Sequence, residues 1–377
     1  MTKTIIFISP GLLPIPSDRG AIEEIIWKTS LELIKLGFRI RILNPMSKDL
    51  ITKSAKTIRL HGLSWIMNEE SILHFHDIIS CLAYSTSTPK FRVENTILTL
   101  HYPPWITRNK RRYIMILSIL KYLATKGIVF SAPSTAIVHW LRKTFKSRAI
   151  LVPNGVDATL FHPSKRNQEI REKLLDGKEV LITYVARICP DKNQLDLLRA
   201  TNLLIHIHGI RNFRVVFIGP FSGSFGYNRE SKVNPYYLLL KNYVERNNLE
   251  NHVMFLGMIP NKNNVAITLA SSDIYVHTSK VEAATPLAIM EAMTSGLPVI
   301  AYRLVYYDFL IHGLNALTVE KGNVDELALK LATIIEDENL RRHLGENARK
   351  FVEEHLSWDK IVERYYVELY ENFGIKR

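Results

Sequence analysis

The feature that most constrains the fold is an alternation of short apolar runs with longer stretches of helical periodicity, which occurs twice along the chain. In the first 160 residues the apolar runs have the length of buried strands, and helical patterns separate them. Such alternation is typical of a parallel sheet covered by helices. The predicted strands of this first doubly wound domain are residues 4–9, 39–43, 71–75, 96–100, 127–131 and 149–152.

The same alternation restarts after a turn-rich junction and predicts a second doubly wound domain. Its predicted strands are residues 179–185, 214–218, 253–255, 274–277, 298–301 and 316–319. The sequence therefore predicts an α/β protein with two facing Rossmann-like domains, residues 1–160 and 161–356. Residues 357–377 read as a helix that crosses back to the first domain, because the helical pattern is interrupted at Leu356 and Ser357. Open parallel sheets bind ligands at the carboxyl ends of their strands, so we expect the ligand in the cleft between the domains.

Cysteine usage and hydropathy limit where the protein works. Cys81 and Cys189 are the only cysteines, which excludes a disulfide framework and a cysteine-based zinc site and fits a reducing compartment. Pro10 breaks the apolar N-terminal run almost at once, so a signal peptide is not expected. No uninterrupted apolar run reaches the roughly 18 to 20 residues of a membrane span. We therefore predict a cytoplasmic protein without a transmembrane helix.

The positive charge is concentrated in the first half of the chain. The formal net charge is +13, and residues 1–165 contain 23 Lys and Arg against 10 Asp and Glu, whereas the remainder is balanced at 26 of each. Between Glu94 and Asp157 there is no acidic residue at all. This asymmetry predicts that the first domain meets an anionic partner.

Two cations follow the first predicted strand of the second domain. Arg187 and Lys192 come directly after residues 179–185, and a helix is predicted to begin near Asn193. Because ligands bind at this end of a parallel sheet, the pair can neutralise an anion such as a leaving diphosphate. Taken alone, the segment is more typical of two solvated loop residues, because charged loop residues are mostly exposed.

A second constellation lies around Pro286 and Glu291. Pro286 fits the first turn of a helix, whose unpaired N–H groups make an anion site. Glu291 lies further along the same helix on an otherwise apolar face, where a ribose diol can satisfy the carboxylate. A buried structural salt bridge is the alternative explanation for Glu291.

The order and spacing of these segments resemble a large family of retaining glycosyltransferases with the GT-B fold, called family 4 or glycosyl transferases group 1. The resemblance covers nearly the whole chain. The segments that carry it are residues 10–20 before a helix, His101 after a strand, residues 152–157, Arg187 with Lys192, residues 255–257 and residues 282–299. It implies a metal-independent hexosyltransferase that takes a sugar from a UDP-, GDP- or ADP-linked donor, with no cofactor and with retained anomeric configuration.

The resemblance also implies roles for the charged residues. Arg187 and Lys192 are similar to the pair that neutralises the donor pyrophosphate, and Glu291 is similar to the carboxylate that holds the ribose hydroxyls. Glu282 is similar to the first acid of the paired-glutamate motif, which contacts the donor sugar. His101 is similar to the histidine of the N-terminal domain near the reacting centre. The leaving phosphate itself then helps to deprotonate the acceptor, so no enzymic nucleophile is required.

Smaller residues complete the implied donor site. Gly20 allows close approach to the phosphate, the backbone around Met258 meets the base, and the backbone of Ala284, Thr285 and Leu287 faces sugar and phosphate. Three positions depart from the family pattern. The two glutamates of the pair are separated by eight residues instead of the usual seven, and alanines replace the glycines expected after Gly20 and before Arg187. The spacing predicts either a bulged loop or a displaced Glu282. His74 and His76 lack a further convincing ligand, so no metal site is predicted.

The acceptor is expected on the first domain, where a basic cluster at residues 107–112 runs into an apolar helix at residues 113–123. Such an arrangement can lie on an anionic membrane, which makes a lipid-linked or envelope carbohydrate acceptor and peripheral association with the inner face of the cell membrane a hypothesis. The alternative is that the helix packs into the core and the basic residues only solubilise the chain.

Other classes of protein compete with the transferase. A sugar-nucleotide 2-epimerase or a phosphorylase has two similar domains, but the further cleft carboxylates of the first and the cofactor lysine and longer chain of the second are missing. A catalytically silent nucleotide-binding protein is left open by the glutamate spacing. A nucleic-acid-binding protein is suggested by the basic first half alone, and the sequence has no recognised nucleic-acid motif.

Overall fold

The computed structural model describes residues 4–11, 13–16, 20–44, 71–87, 93–107, 109–221, 234–282 and 285–374. The chain divides into two compact units, each built on its own parallel sheet. The first unit comprises Met1–Gly155, Ala283–Thr285 and Trp358–Arg377. The second comprises Val156–Glu282 and Pro286–Ser357.

The sheet of the first unit has six strands in the order β2-β1-β3-β4-β5-β6, and all neighbours are parallel. The strands are β1 Thr4–Ile8, β2 Arg39–Leu43, β3 Ser71–Phe75, β4 Thr96–Thr99, β5 Val129–Ala132 and β6 Ala149–Leu151. The helices between them are α1 Ala21–Lys35, α2 Ile78–Ser87, α3 Lys110–Thr125 and α4 Thr135–Phe145. Strands such as β3 are buried along their whole length, as expected for a sheet with helices on both faces.

The sheet of the second unit also has six parallel strands, in the order β12-β11-β10-β7-β8-β9. The strands are β7 Val180–Val185, β8 Phe213–Ile218, β9 Val253–Gly257, β10 Ile274–His277, β11 Val299–Tyr302 and β12 Leu317–Val319. The helices are α5 Gln168–Leu175, α6 Gln194–His206, α7 Pro235–Arg246, α8 Lys262–Ala270, α9 Leu287–Thr294, α10 Val324–Glu336 and α11 Glu338–His355. A large apolar cluster of strand and helix side chains fills the space between this sheet and its helices.

The end of the chain returns to the first unit. Helix α12 (Trp358–Ile361) leads through a π-helical turn, Val362–Tyr366, into α13 (Val367–Glu371), and α12 and the π-helical turn contact α1. The π-helical turn adds one residue to the helical repeat, and within it Tyr366 is buried whereas Tyr365 is only partly buried.

The predicted fold class is confirmed. All twelve predicted strands are present with ends that differ by no more than a few residues, and both sheets are parallel. The predicted return of the C-terminal helix to the first unit is also confirmed. These elements match because apolar runs and helical periodicity are local properties that burial on both faces of a sheet imposes.

We predict that Gly219→Ala destabilises the second unit by more than about 2 kcal/mol, because Gly219 has φ +151° and a Cβ there would lie 1.9 Å from the carbonyl oxygen of Ala186. Both atoms belong to backbone, so neither can move cheaply. Urea denaturation measures the change. Gly209→Ala is the matched control, because Gly209 has φ +70° but nothing within 4 Å of the added methyl group, and it should lose only about 1 kcal/mol. Equal losses in the two variants would contradict the prediction.

Candidate functional site in the second sheet

Two loops are joined at the carboxyl edge of the second sheet because β7 and β10 are neighbouring strands. The loop after β7 leads into α6, and the loop after β10 leads into α9. The carbonyl oxygen of Asp191 accepts hydrogen bonds from the backbone N–H of Lys280 at 2.9 Å and from Ser279 Oγ at 3.1 Å. Thr278 Oγ1 donates to the carbonyl oxygen of Asn193 at 2.9 Å. The loops that carry the predicted charged residues are therefore held together by backbone contacts.

Lys192 and Glu282 form an ion pair across these two loops through Lys192 Nζ and Glu282 Oε2. Glu282 is only 8% exposed. Burial by itself raises the pKa of this carboxyl, but the Lys192 ammonium and a hydrogen bond from His277 outweigh burial and hold the pKa well below its usual range. The eight-residue spacing to Glu291 therefore does not displace Glu282 from Lys192.

His277 and Tyr275, on β10, extend this contact into the sheet, and the sequence analysis did not select them. His277 Nε2 lies 3.0 Å from Glu282 Oε2, and His277 Nδ1 lies 3.2 Å from the hydroxyl of Tyr275. The backbone N–H of Glu282 donates to the hydroxyl of Tyr306 at 3.3 Å. A histidine at the end of a buried strand, directly before a loop of interest, was the available signal in the sequence.

Glu291 is paired with a second lysine. Glu291 is 6% exposed, and its Oε1 lies 2.6 Å from Nζ of Lys262 at the start of α8. The ammonium of Lys262 also lies 5.6 Å from the centre of the Phe161 ring. The salt bridge that the sequence analysis kept as an alternative is thus present, and Lys262 was missed because nothing local links it to α9. Burial of Glu291 does not by itself require a ribose.

Helix α9 begins one residue later than expected. Leu287 is its first residue, and Pro286 precedes the helix instead of occupying its first turn. Thr285 is buried and has φ +51°, a conformation that side chains with a Cβ rarely adopt. The backbone N–H groups that open α9 are therefore those from Leu287 onward. The predicted contact at Ala284 lies outside the described residues.

Arg187 and Met258 occupy loops at the same edge of the sheet. Arg187 is half-buried in the loop after β7, and its carbonyl oxygen accepts a hydrogen bond from Gln194 Nε2 at 2.8 Å. Met258 directly follows β9 and is exposed. Both residues therefore follow strands that end at the carboxyl edge of the second sheet.

His101 lies in a buried cluster of histidines in the first unit. His74 is the next-to-last residue of β3. His76 and His101 follow β3 and β4, which are adjacent strands. His76 Nδ1 and His101 Nε2 are 2.9 Å apart. His74 Nδ1 lies 2.6 Å from the hydroxyl of Tyr370, and its Nε2 lies 2.6 Å from Thr99 Oγ1. In the described part of the chain, the other ring nitrogens of His76 and His101 have no hydrogen-bond partner.

Burial keeps all three histidines neutral. It lowers the pKa of His74 to about 3 and the pKa of His101 to about 4, and it lowers the pKa of His76 well below its usual value. Neutral rings in contact avoid the repulsion that two imidazolium ions would suffer. His101 therefore meets any ligand as a neutral imidazole.

Gly20 precedes α1 in the first unit, where space is limited. A Cβ at Gly20 would lie 2.2 Å from Glu23 Oε2 and 2.6 Å from Leu13 Cδ1. Glu23 is buried, and burial raises the pKa of its carboxyl. The absence of a side chain at Gly20 is thus already required by the packing of α1.

Within the ranges that the structure describes, no group of three or more His, Cys, Asp or Glu side chains is placed to hold a metal ion. The second unit instead offers a lysine–carboxylate pair between two loops, a second pair between α8 and α9, a half-buried arginine and the N-terminus of α9. Such groups are suited to a ligand that combines anionic and hydroxyl groups.

Comparison with known proteins defines the class first. The chain resembles the solved structure of a sucrose-phosphate synthase from Thermosynechococcus elongatus, with a TM-score of 0.79, 18% identity and 99% coverage of both chains. It also resembles HepE of Anabaena, solved in complex with UDP, with a TM-score of 0.73, 17% identity and coverage of 98% and 100%. At this identity the likeness establishes the fold, which is the GT-B fold of glycosyltransferases.

The family follows from the sequence. Residues 165–351 match the family described as glycosyl transferases group 1. Over 334 residues the chain is 27% identical to the sulfoquinovosyl transferase SQD2 of Arabidopsis thaliana. The aligned region covers 85% of this chain and 57% of the relative. The chain spans less than two thirds of the length of the first curated relatives that it matches. The match to the glycosyl transferases group 1 lies almost entirely within the second unit, and it confirms the predicted family.

We predict that the three buried histidines make the protein sensitive to acid. The folded state holds the pKa values of His74 and His101 below the ordinary value of 6.5, so between pH 6.5 and about 4 the unfolded chain binds more protons. Stability must then fall with pH across this window, by about 1.4 kcal/mol per pH unit for each histidine. Chemical denaturation at several pH values measures the slope.

The variant His101→Asn removes one of these groups, so the dependence of the free energy of unfolding on pH should become shallower by about 1.4 kcal/mol per pH unit. His139→Asn, at an exposed position on α4, is the matched control and should keep the wild-type slope. An unchanged slope in His101→Asn would contradict the assignment of His101 as a buried neutral group.

Proposed function

We propose that the protein is a retaining glycosyltransferase that moves a hexose from a nucleoside diphosphate sugar to an acceptor hydroxyl. The observation that carries the proposal is the joining of Lys192 and Glu282 at the carboxyl edge of the second sheet. Family membership supports the reaction class. The geometry supports a donor that needs cations for its diphosphate and carboxylates for its hydroxyls.

The diphosphate is assigned to Arg187, Lys192 and the first N–H groups of α9. An ammonium has three donors, and the contact with Glu282 uses one of them. Leu287 opens α9 without a side-chain cap, so its N-terminus can receive an anion. Negative charge that develops on the leaving diphosphate is stabilised by these groups, which lowers the barrier to transfer.

The hydroxyl groups of the donor are assigned to the two glutamates. Glu282 remains ionised despite burial and accepts hydrogen bonds only, as a sugar hydroxyl requires. Glu291 is oriented by Lys262 and can receive a ribose diol with its carboxylate oxygens. We propose a front-face transfer in which the leaving phosphate takes the acceptor proton, with His101 as a neutral hydrogen-bonding group near the reaction.

A UDP-sugar is the first donor to test, because the similar Anabaena protein was solved with UDP. GDP- and ADP-sugars complete the panel. The acceptor is proposed to be a carbohydrate, either lipid-linked or part of an envelope glycan. A sugar-nucleotide 2-epimerase remains the second enzyme class to test, and a product with an altered sugar still attached to its nucleotide would identify it.

We predict that Lys192→Met lowers release of UDP from the preferred UDP-sugar by at least about tenfold, because one cation at the diphosphate is lost. The same variant should weaken thermal stabilisation by UDP but leave stabilisation by uridine unchanged. Glu291→Gln should weaken both, because it alters the ribose contact. Lys173→Met, an exposed lysine on α5, is the matched control and should behave as wild type.

Lys262→Met tests the alternative that Glu291 serves only a structural salt bridge. If Glu291 binds ribose, Glu291→Gln should lose at least about tenfold in nucleotide affinity, and Lys262→Met should lose less. Equal effects of the two variants on stability with no effect of either on nucleotide binding would refute the ribose assignment. Nucleotide binding without turnover of any donor would instead favour the catalytically silent binding protein.

Helix α3 supports the proposal of a membrane-bound acceptor. Its second half contributes Ile119, Leu120 and Leu123 to the core, whereas its first half exposes Ile114 by 52% and Met115 by 49%. The packing alternative from the sequence therefore holds for only one half of the helix.

Basic residues lie beside this exposed apolar face. Arg111 and Arg112 are exposed in the first turn of α3, and Arg108 of the same cluster lies outside the described residues. Basic and apolar side chains on one short helical segment fit an anionic lipid surface. None of the described helices is long and apolar enough to span a bilayer.

We predict that the protein sediments with vesicles of anionic lipid at low salt and that Arg111→Glu with Arg112→Glu lowers the affinity by at least about tenfold, since each basic residue contributes about 1 kcal/mol. Neutral vesicles and high salt should weaken binding of the wild type. Lys173→Glu with Arg246→Glu makes the same charge change in the second unit and serves as the control. Equal loss in both double variants would indicate a net-charge effect and refute the assignment to α3.

A further inference from the structure

His277 is held from two sides at the end of β10. The residue is 2% exposed, and both ring nitrogens have partners in the second unit. Nε2 lies 3.0 Å from Glu282 Oε2, and Nδ1 lies 3.2 Å from the hydroxyl of Tyr275. Tyr275 lies on the same strand two residues earlier, so the strand geometry places its ring beside that of His277.

The direction of these hydrogen bonds follows from the charge of Glu282. An ionised carboxylate accepts hydrogen bonds and cannot donate them, so His277 must carry its proton on Nε2. His277 is neutral, because burial lowers its pKa and outweighs the opposite effect of Glu282. Its Nδ1 is then an acceptor, and the Tyr275 hydroxyl is the group placed to donate to it. The carbonyl oxygen of Val185, at 3.3 Å from the same hydroxyl, is a competing acceptor.

We propose that His277 is a positioning residue for the donor site, which orients the Glu282 carboxylate and through it the ammonium of Lys192. This inference rests on the proposed function. Both His277 and Lys192 donate to the same atom, Glu282 Oε2, from different elements. A carboxylate held from two directions cannot rotate freely, so the long and flexible Lys192 side chain meets a fixed partner.

The titratable groups around Glu282 show what the His277 contact adds to its surroundings. Besides Lys192 and His277, four described tyrosines lie near enough to Glu282 for its charge to act on them: burial raises their pKa values, and the Glu282 charge raises them further. They are Tyr184, Tyr275, Tyr306 and Tyr307. The Tyr307 hydroxyl is buried without a hydrogen-bond partner among the described residues. His277 is a neutral donor that reaches the Glu282 carboxylate directly.

A purely structural role predicts different behaviour from a positioning role. Buried polar groups can often be replaced by apolar groups of similar size at little cost in stability. A structural His277 would change the free energy of unfolding and leave the kinetics of the folded enzyme alone. A positioning His277 changes kcat and the pH profile in variants that remain folded.

The experiment compares two amide variants of similar size. In His277→Gln the side-chain N–H can occupy the place of Nε2–H and donate to Glu282, whereas in His277→Asn the shorter amide reaches only the place of Nδ1. We expect His277→Gln to keep kcat for UDP release within about threefold of wild type. We expect His277→Asn to lose about tenfold in kcat with KM changed by less than about threefold, as for the loss of one hydrogen bond to a charged group.

The pH profile provides a second readout. Loss of a donor to the charged form raises the pKa of Glu282, so the acidic limb of kcat/KM should move to higher pH in His277→Asn and stay in place in His277→Gln. Circular dichroism and urea denaturation establish that both variants are folded. Equal kcat values and superimposable pH profiles for the two folded variants would overturn the proposal.

Nitrogen NMR of the wild-type protein separates this inference from the proposed function, because it needs no substrate. We expect the neutral His277 imidazole to be protonated on Nε2 and its pKa to lie below the ordinary value of 6.5. A proton on Nδ1 would overturn the inference even if donor turnover is found. Absence of turnover with every nucleotide sugar would count against the proposed function, while the Nε2–H assignment would still be supported or overturned by its own signal.

Discussion

The contact on which the candidate site depends is the one between the loop after β7 and the loop after β10. These strands are neighbours in the second sheet although β8 and β9 separate them in sequence. Parallel strands end at the same edge, so their loops meet there, and backbone hydrogen bonds join Asp191 to Lys280. Lys192 and Glu282 are thereby brought into contact from positions 90 residues apart. A different strand order would separate the two loops and therefore the two charges.

Charge burial explains why the site is built from pairs. A carboxylate taken out of water is costly unless a cation and hydrogen bonds replace the solvent. Glu282 has Lys192 and His277, and Glu291 has Lys262. Buried ion pairs contribute little net stability compared with apolar packing, which agrees with the proposed role of these two pairs in binding.

The first unit follows a different principle. The clustered His74, His76 and His101 are buried without a counter-ion among the described residues, and burial keeps them neutral. His101 contacts His76, and His74 is held by Thr99 and by Tyr370 from the C-terminal α13. The return of the chain end to this unit is therefore part of the structure that surrounds His101. An uncharged ring is compatible with a reaction in which the leaving phosphate receives the proton.

The sequence by itself determined the fold class, because strand length, apolar runs and helical periodicity are local and both sheets are buried on both faces. It also identified Lys192 and Glu282, although their roles were inferred through resemblance and the contact between them was not predicted. Only the tertiary structure revealed Lys262 and His277, since their partners are chosen by which helices and strands lie side by side. Strand order determines which elements are neighbours, and local sequence patterns do not predict strand order.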